Sequence, residues 1–192
     1  MVVMGRKLQG PQLFSFSFDN RAGARMAVQH LIEQGHRRIA FMAGDLVHDD
    51  AVERLEGYRD ALKAAGLAED PQLIVQGDFT EPGGMQATAR LLQREAPFSA
   101  LFASNDQMAI GAILSLHRAG LRVPDDVSVI GFDDVVAARY MLPPISTVHM
   151  SVYDMGRLAA EAMLGLLQGE TPQVEAPAPE LVVRESTRRL TR

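Results

Sequence analysis

Four short loops hold most of the polar chemistry of this 192-residue chain. Segments 44–50, 77–81, 104–106 and 132–136 carry His48, Asp49, Asp50, Asp78, Asn105, Asp106, Asp133 and Asp134, with Phe79 and Phe132 beside them. Carboxylates and amides grip hydroxyls, and an aromatic face stacks on a flat ring. That combination suits a sugar or a nucleobase. Arg54 follows Asp50 by four residues and can offer a bidentate fork to hydroxyls or a carboxylate, or else stand exposed on its helix.

Catalytic and metal constellations are missing from the sequence. It has neither G-x-G-x-x-G nor G-x-x-x-x-G-K-[ST], and no G-x-S-x-G elbow. With Cys 0 there is no thiol nucleophile, iron–sulfur site or disulfide framework. The histidines 30, 36, 48, 117 and 149 show no i, i+4 zinc spacing, and only His48 falls at the polar edge. His30 and His117 in helices, and His36 after one, are expected in surface or capping roles. The pairs Asp49–Asp50 and Asp133–Asp134 could suggest a metal or a phospho-acceptor. Adjacent side chains diverge, however, so one of each pair faces a site and the other caps a helix or charges its first turn. The only lysines are Lys7 and Lys63, and neither ends a strand. The expectation is a binding protein without metal or cofactor, not an enzyme. An enzyme on a flavodoxin-like sheet is the weaker alternative.

These loops must be positioned by the elements around them. Apolar runs at 39–43, 73–75, 100–103, 127–131, 147–149 and 181–183 read as strands. Helical periodicity follows Asp19–Asn20, with Ala24, Ala27, Val28, Leu31 and Ile32 on one face and Gly35 at its end. A second helix opens at Asp49–Asp50 and ends at Gly66; a third runs from a Thr80 cap to about residue 94, with Gly83–Gly84 for close packing or helix start. Two more cover about 106–120 and 151–167, whereas 139–144 breaks the pattern and the proline-rich 169–179 is a crossing loop. Alternating β and α implies a doubly wound parallel sheet, whose ligands sit at the carboxyl ends of the strands. The four polar loops lie at those ends.

Composition agrees with a globular domain: 47 % hydrophobic, 22 % charged, formal charge −5. The acidic balance supplies no general polycation for nucleic acid. No stretch has the ~20 apolar residues of a membrane span, and MVVMGRKLQGPQ is not a secretory signal, so a cytoplasmic location is expected.

Several runs in order carry a resemblance: Asp19–Asn20, His36-Arg37-Arg38-Ile39-Ala40-Phe41, Arg54-Leu55-Glu56-Gly57-Tyr58 and Asn105-Asp106-Gln107-Met108-Ala109. Val123-Pro124-Asp125-Asp126-Val127-Ser128-Val129-Ile130-Gly131-Phe132-Asp133-Asp134, Ala138-Arg139-Tyr140 and Leu181-Val182-Val183-Arg184-Glu185-Ser186 follow. From about residue 2 to 187 the sequence resembles the effector-binding domain of the lactose/galactose-repressor (LacI/GalR) family of bacterial transcription regulators, nearest its galactose- and purine-repressor branches. The resemblance implies a periplasmic-binding-protein-like type I fold with the effector between two lobes. One lobe is expected near-complete, over 19–146 and 178–188. The other is expected in part, over 1–18 and 147–170. The helix-turn-helix headpiece is expected to be absent, so the chain reads as the back portion of a repressor.

The resemblance further implies effector contacts by His48, Asp50, Arg54, Phe79, Asn105 and Asp133. Gly5 stands where relatives carry a bulky or polar contact, for which Arg6 is expected to substitute. Asn105 points to the sugar-binding branches, and Val75-Gln76-Gly77-Asp78-Phe79 to the purine branch. A carbohydrate is the favoured effector and a purine nucleobase the alternative. Homodimerisation is implied through Glu81, Met85, Ile110, Ile113 and Met141, with simple core packing the other reading of the two isoleucines. Operator DNA would be met only through the headpiece. A periplasmic-type solute-binding protein of an uptake system is the competing function.

Overall fold

The computed structural model describes residues 1–5, 10, 13–94 and 96–190. The chain divides into two compact units, Asn20–His149 with Glu180–Arg192, and Met1–Asp19 with Met150–Pro179. The smaller unit holds the parallel pair β1 (Val2–Met4) and β2 (Phe14–Phe16), with α6 (Val152–Leu167) packed on β1.

The larger unit is built on a parallel sheet in the order β4 (Ile74–Gln76), β3 (Ile39–Ala43), β5 (Ala100–Ala103), β6 (Ser128–Ile130). All residues of β3, β5 and β6 are buried, as expected of inner strands covered on both faces. Alternate side chains serve opposite faces. Ala40, Met42, Leu101, Ala103 and Val129 join a core with α3 (Glu81–Leu92) and α4 (Asp106–Arg118). On the other face Phe41 stacks on Tyr58 of α2 (Asp49–Ala64) at 4.9 Å, where α2 pairs with α1 (Asn20–Glu33). The sheet is therefore doubly wound, as the alternation of elements implies.

Local rules account for the ends. Ala24, Ala27, Val28 and Leu31 form the buried stripe of α1, and Gly35 at φ 95° closes it in the left-handed region open to glycine. Thr80 caps α3 by accepting the Gly83 N–H at 3.0 Å. Strand β4 starts one residue later than expected. Asp70 accepts the Gln72 N–H at 3.0 Å and winds Pro71–Leu73 into a 3-10 turn first.

Three other features differ from the expectations. β7 (Thr147–His149) pairs antiparallel with β8 (Glu180–Val182), and Ser146 just before β7 and His149 at its end bridge Ile130 and Asp133. Those pairings place β7 in the larger unit, although 147 was expected to open a piece of the other lobe. Val136–Arg139 forms a short helix, α5, just before the irregular 140–144. His30 and His36 are buried rather than on the surface. His30 bonds the Thr187 hydroxyl at 3.0 Å, and His36 bonds Ser99 Oγ at 2.8 Å and the Arg188 carbonyl at 3.1 Å. Burial lowers both pKa values below the usual histidine range, so the pair acts as neutral ties for the C-terminal segment.

The helix pairs touch backbone to backbone. A Cβ on Gly111 of α4 would lie 2.0 Å from the Glu81 carbonyl oxygen, and one on Gly84 of α3 would lie 2.4 Å from the Met108 carbonyl oxygen. Gly83–Gly84 thus serves close packing. Gly111→Ala is expected to destabilise the fold by about 1–3 kcal/mol, read as a lower urea midpoint. Gly156→Ala in α6, where a Cβ meets nothing within 4 Å, should be neutral or gain up to about 1 kcal/mol in the same assay.

Candidate functional site

The carboxyl edge of the sheet gathers the predicted loops around one guanidinium. Arg54 sits on the first turns of α2 and is only 7 % exposed. Its Nε donates to Asn20 Oδ1 at 3.0 Å and its Nη1 to the Ser104 carbonyl. Nη2 lies 3.4 Å from Asp133 Oδ1 and 3.9 Å from Asp50 Oδ2. The guanidinium carbon stands 4.0 Å from the Phe132 ring centroid, within cation–π range, with the Phe79 ring at 6.0 Å. Arg54 therefore does not stand exposed on its helix.

Asp133 and Asp134 part company as adjacent residues on the chain must. Both hold positive φ, 101° and 57°. For a non-glycine residue this costs of order 1–3 kcal/mol and persists only where surroundings impose it. Asp133 turns to Arg54 and keeps 34 % of its side-chain surface open. Desolvation pushes its carboxyl up to about 6, opposed by Arg54 and reinforced by the charge of Asp50. Asp134 turns the other way and is buried. It accepts from Arg184 Nη2 at 2.5 Å, Arg139 Nη2 at 2.9 Å and His149 Nδ1 at 3.1 Å. Burial alone would raise Asp134, but the hydrogen bonds and charges of Arg184 and Arg139 outweigh it and hold the carboxyl below the usual range.

Phe79 also holds positive φ, 66°, with its ring against Gly44, where a Cβ would meet it at 2.0 Å. Asn105 Nδ2 donates to the Phe79 carbonyl at 3.0 Å, and Asn105 Oδ1 accepts the Met108 N–H at 2.9 Å. Both ends of the Asn105 amide are therefore engaged within the scaffold. Asp78 accepts from the backbone N–H and hydroxyl of Thr80, so it shapes its own loop. His48 is exposed on the chain preceding α2, its ring 6.2 Å from that of Phe79. Asp50 is half-buried and Arg6 lies outside the described residues.

Asp106, one of the polar groups of the loop 104–106, is fully buried and ties the scaffold. Its Oδ1 receives the Thr147 hydroxyl at 2.7 Å, and its Oδ2 the Val135 N–H at 2.9 Å. Neither the Asp106–Thr147 pair nor the Asp134–Arg184 pair leaves a local signal, since their partners lie 41 and 50 residues away. Among the predicted dimer residues, Ile113 belongs to the core at 6 % exposure, which is the packing reading, and Glu81, Met85, Ile110 and Met141 are half-buried. A cavity of about 350 Å³ opens beside them, lined by Leu114, His117, Met141 and Leu142 among others. Among the described residues no group of three or more acids or histidines could hold a metal ion, and no helix is long and apolar enough to cross a membrane.

An arginine donor, a half-open carboxyl and the half-buried Phe79 face can grip a hydroxyl-bearing ring, with Phe132 buried beneath the guanidinium. Residues 28–187 match the family described as Periplasmic binding protein-like domain, which fits the doubly wound sheet and its loop-edge site. HTH-type transcriptional regulator CelR of Thermobifida fusca is 42 % identical over 189 residues, covering 96 % of this chain and 56 % of its own length. HTH-type transcriptional regulator GalR of Escherichia coli K12 is 40 % identical over 188 residues, covering 97 % and 55 %. A solved sugar-binding regulator of the LacI family from Escherichia coli, complexed with phosphate, superposes with a TM-score of 0.92 at 38 % identity, over 98 % of this chain and 68 % of that one. A CelR–cellobiose complex superposes at 0.87 with 41 % identity, over 96 % and 58 %. The chain belongs to the LacI/GalR family of transcriptional regulators. It spans about half the length of the curated relatives it matches.

The buried acid carries a pH signature. Desolvation raises Asp106 to about 7; hydrogen bonds from Thr147 and Val135 oppose this, and the charges of Asp133 and Asp134 add to it. Between about pH 4 and 7 the folded protein holds a proton that the unfolded chain has released. Asp106 thus favours folding most at low pH, and this contribution fades as pH rises through about 7. In urea unfolding across that window, the stability of wild type relative to Asp106→Asn should fall with rising pH and level off above it. A pH-independent difference would contradict the assignment.

Proposed function

We propose that this chain is the effector-binding and dimerisation portion of a LacI/GalR-type transcriptional regulator, with a small carbohydrate as its effector. The observation that carries the reading is the buried Arg54 guanidinium, lying over Phe132 and beside the open Asp133 carboxyl. Hydroxyls of a sugar can accept from the one and donate to the other, while the half-buried Phe79 offers a face to the ring and the buried Phe132 backs the guanidinium. The CelR–cellobiose complex among the similar structures supports a sugar over a purine. His48 and Asp50 stand at the rim of the same edge.

Effector binding works through its differential affinity for two conformations of the regulator, a coupling of typically 1–3 kcal/mol. The formal charge of −5 fits a module that leaves operator DNA to a headpiece outside it. The dimer face would centre on Met141 and on the exposed Leu142 and Leu114, with Glu81, Met85 and Ile110 around them and Ile113 supporting from the core.

A thermal-shift screen of mono- and disaccharides, including cellobiose, against guanine and hypoxanthine tests the effector. A sugar present at a hundredfold excess over its Kd stabilises by about 2.7 kcal/mol. Arg54→Ala and Asp133→Ala should each remove that stabilisation. A purine hit, or a sugar hit that survives both substitutions, refutes the reading. For the dimer, sedimentation equilibrium at micromolar concentration should show a dimer in wild type and a monomer in Leu142→Asp. A monomeric wild type sinks the patch.

A further inference from the structure

The chain passes between its two units at three places, after Asp19, after His149 and after Pro179. Two of those passages run through β7 and β8, which pair with each other in the larger unit. The buried Asp134 carboxylate is bonded from both stretches, at the crossing end of β7 and just past the far end of β8. His149, the last residue of β7, approaches Oδ2 at 3.1 Å, and Arg184, two residues beyond β8, approaches Oδ1 at 2.5 Å. Arg139 of α5 adds a bond to Oδ2 at 2.9 Å. A carboxylate only accepts, so His149 Nδ1 bears its proton there.

The backbone around Asp134 is tied to the same strand. The Asp133 N–H donates to the Val148 carbonyl at 2.8 Å, and the Asp134 N–H faces Thr147 Oγ1 at 3.4 Å. That Thr147 hydroxyl in turn donates to Asp106, which also receives the Val135 N–H. Three consecutive amides of the loop therefore end on β7 or on the acid that β7 holds. The loop is the one that carries Asp133 to Arg54.

We infer that Asp134 is a positioning residue for the effector site: its carboxylate clamps loop 132–136 to both crossing strands, fixing where Asp133 stands and linking that position to the passages between the units. It needs no contact with the effector. The inference rests on the reading of Arg54 and Asp133 as effector contacts, but the clamp itself is testable without any effector.

The test is hydrogen exchange by mass spectrometry on the unliganded protein, comparing wild type with Asp134→Asn and Arg184→Gln. Asp134→Asn should speed exchange in 132–136 and 147–149 by tenfold or more, with Ile39–Ala43 and Ala100–Ala103 unchanged. Arg184→Gln, which leaves Asp134 two partners, should affect the same segments by a smaller factor, and it decides the matter alone if Asp134→Asn does not fold. Exchange that rises equally throughout the larger unit would make Asp134 a general stabiliser and overturn the inference. So would unchanged exchange in 132–136. Titration with cellobiose forms a separate arm: wild-type binding that weakens at least tenfold in Arg184→Gln supports the link to the site, and equal affinity in the two proteins overturns it. Failure of wild type to bind any sugar of the screen bears on the carbohydrate reading only, because exchange reads the clamp directly.

Discussion

A guanidinium removed from water has to be compensated, and the site follows from how Arg54 is compensated. A closed bidentate pair with a carboxylate would satisfy it, but would use up both partners. Here the fixed acceptors are neutral: the Asn20 amide oxygen and the Ser104 carbonyl. The Phe132 ring supplies a third, diffuse attraction. Asp133 stands at 3.4 Å, near enough to favour the cation and far enough to keep part of its carboxyl open. The pair is thereby poised, with a cation locked in orientation and an acid still able to accept.

The lock depends on one short stretch of chain. Ser104, Asn105 and Asp106 join β5 to α4, and each residue positions a different part of the edge. Ser104 gives its carbonyl to Arg54, Asn105 holds the Phe79 carbonyl, and Asp106 holds Val135 and Thr147. Two loops with left-handed residues, at Phe79 and at Asp133–Asp134, are thus imposed from a rigid strand–helix junction. Asn105 has the residue type of a ligand contact, yet it acts as a helix cap and a loop tie. That role explains why a sequence reading that counts polar groups at strand ends overstates the number free for an effector.

Much of the framework was legible because it is local. The runs 39–43 and 100–103 are uninterrupted apolar strands, Thr80 and Gly35 are end signals with a one-turn range, and Arg54 follows Asp50 by one helical turn. What stayed hidden depends on distance or brevity. β1 and β2 have three residues each, too few for a period to show. The antiparallel sense of β7 and β8 is set by pairing between residues 31 or more positions apart, which no local pattern records. Asp134 could be recognised as diverging from Asp133, since neighbours must diverge. Its three donor partners, 5, 15 and 50 residues away, could not be read from spacing.

The divergence of the two aspartates is also an electrostatic necessity. Asp106, Asp133 and Asp134 crowd one turn, and the charges of the latter two already help to raise Asp106. Were Asp134 uncompensated, its full charge would add to that crowding, and protonation would spread through the cluster. Arg184 and Arg139 absorb the charge instead, which leaves Asp133 to be governed by desolvation, Arg54 and Asp50. The remaining acid, Asp106, can change protonation without releasing its partners. Ionised, it accepts from both Thr147 and Val135; protonated on Oδ1, it donates to the Thr147 oxygen while Oδ2 still accepts from Val135. The scaffold under the site therefore keeps its hydrogen bonds through a change of charge, and the geometry presented to an effector at Asp133 does not hinge on whether Asp106 carries a proton.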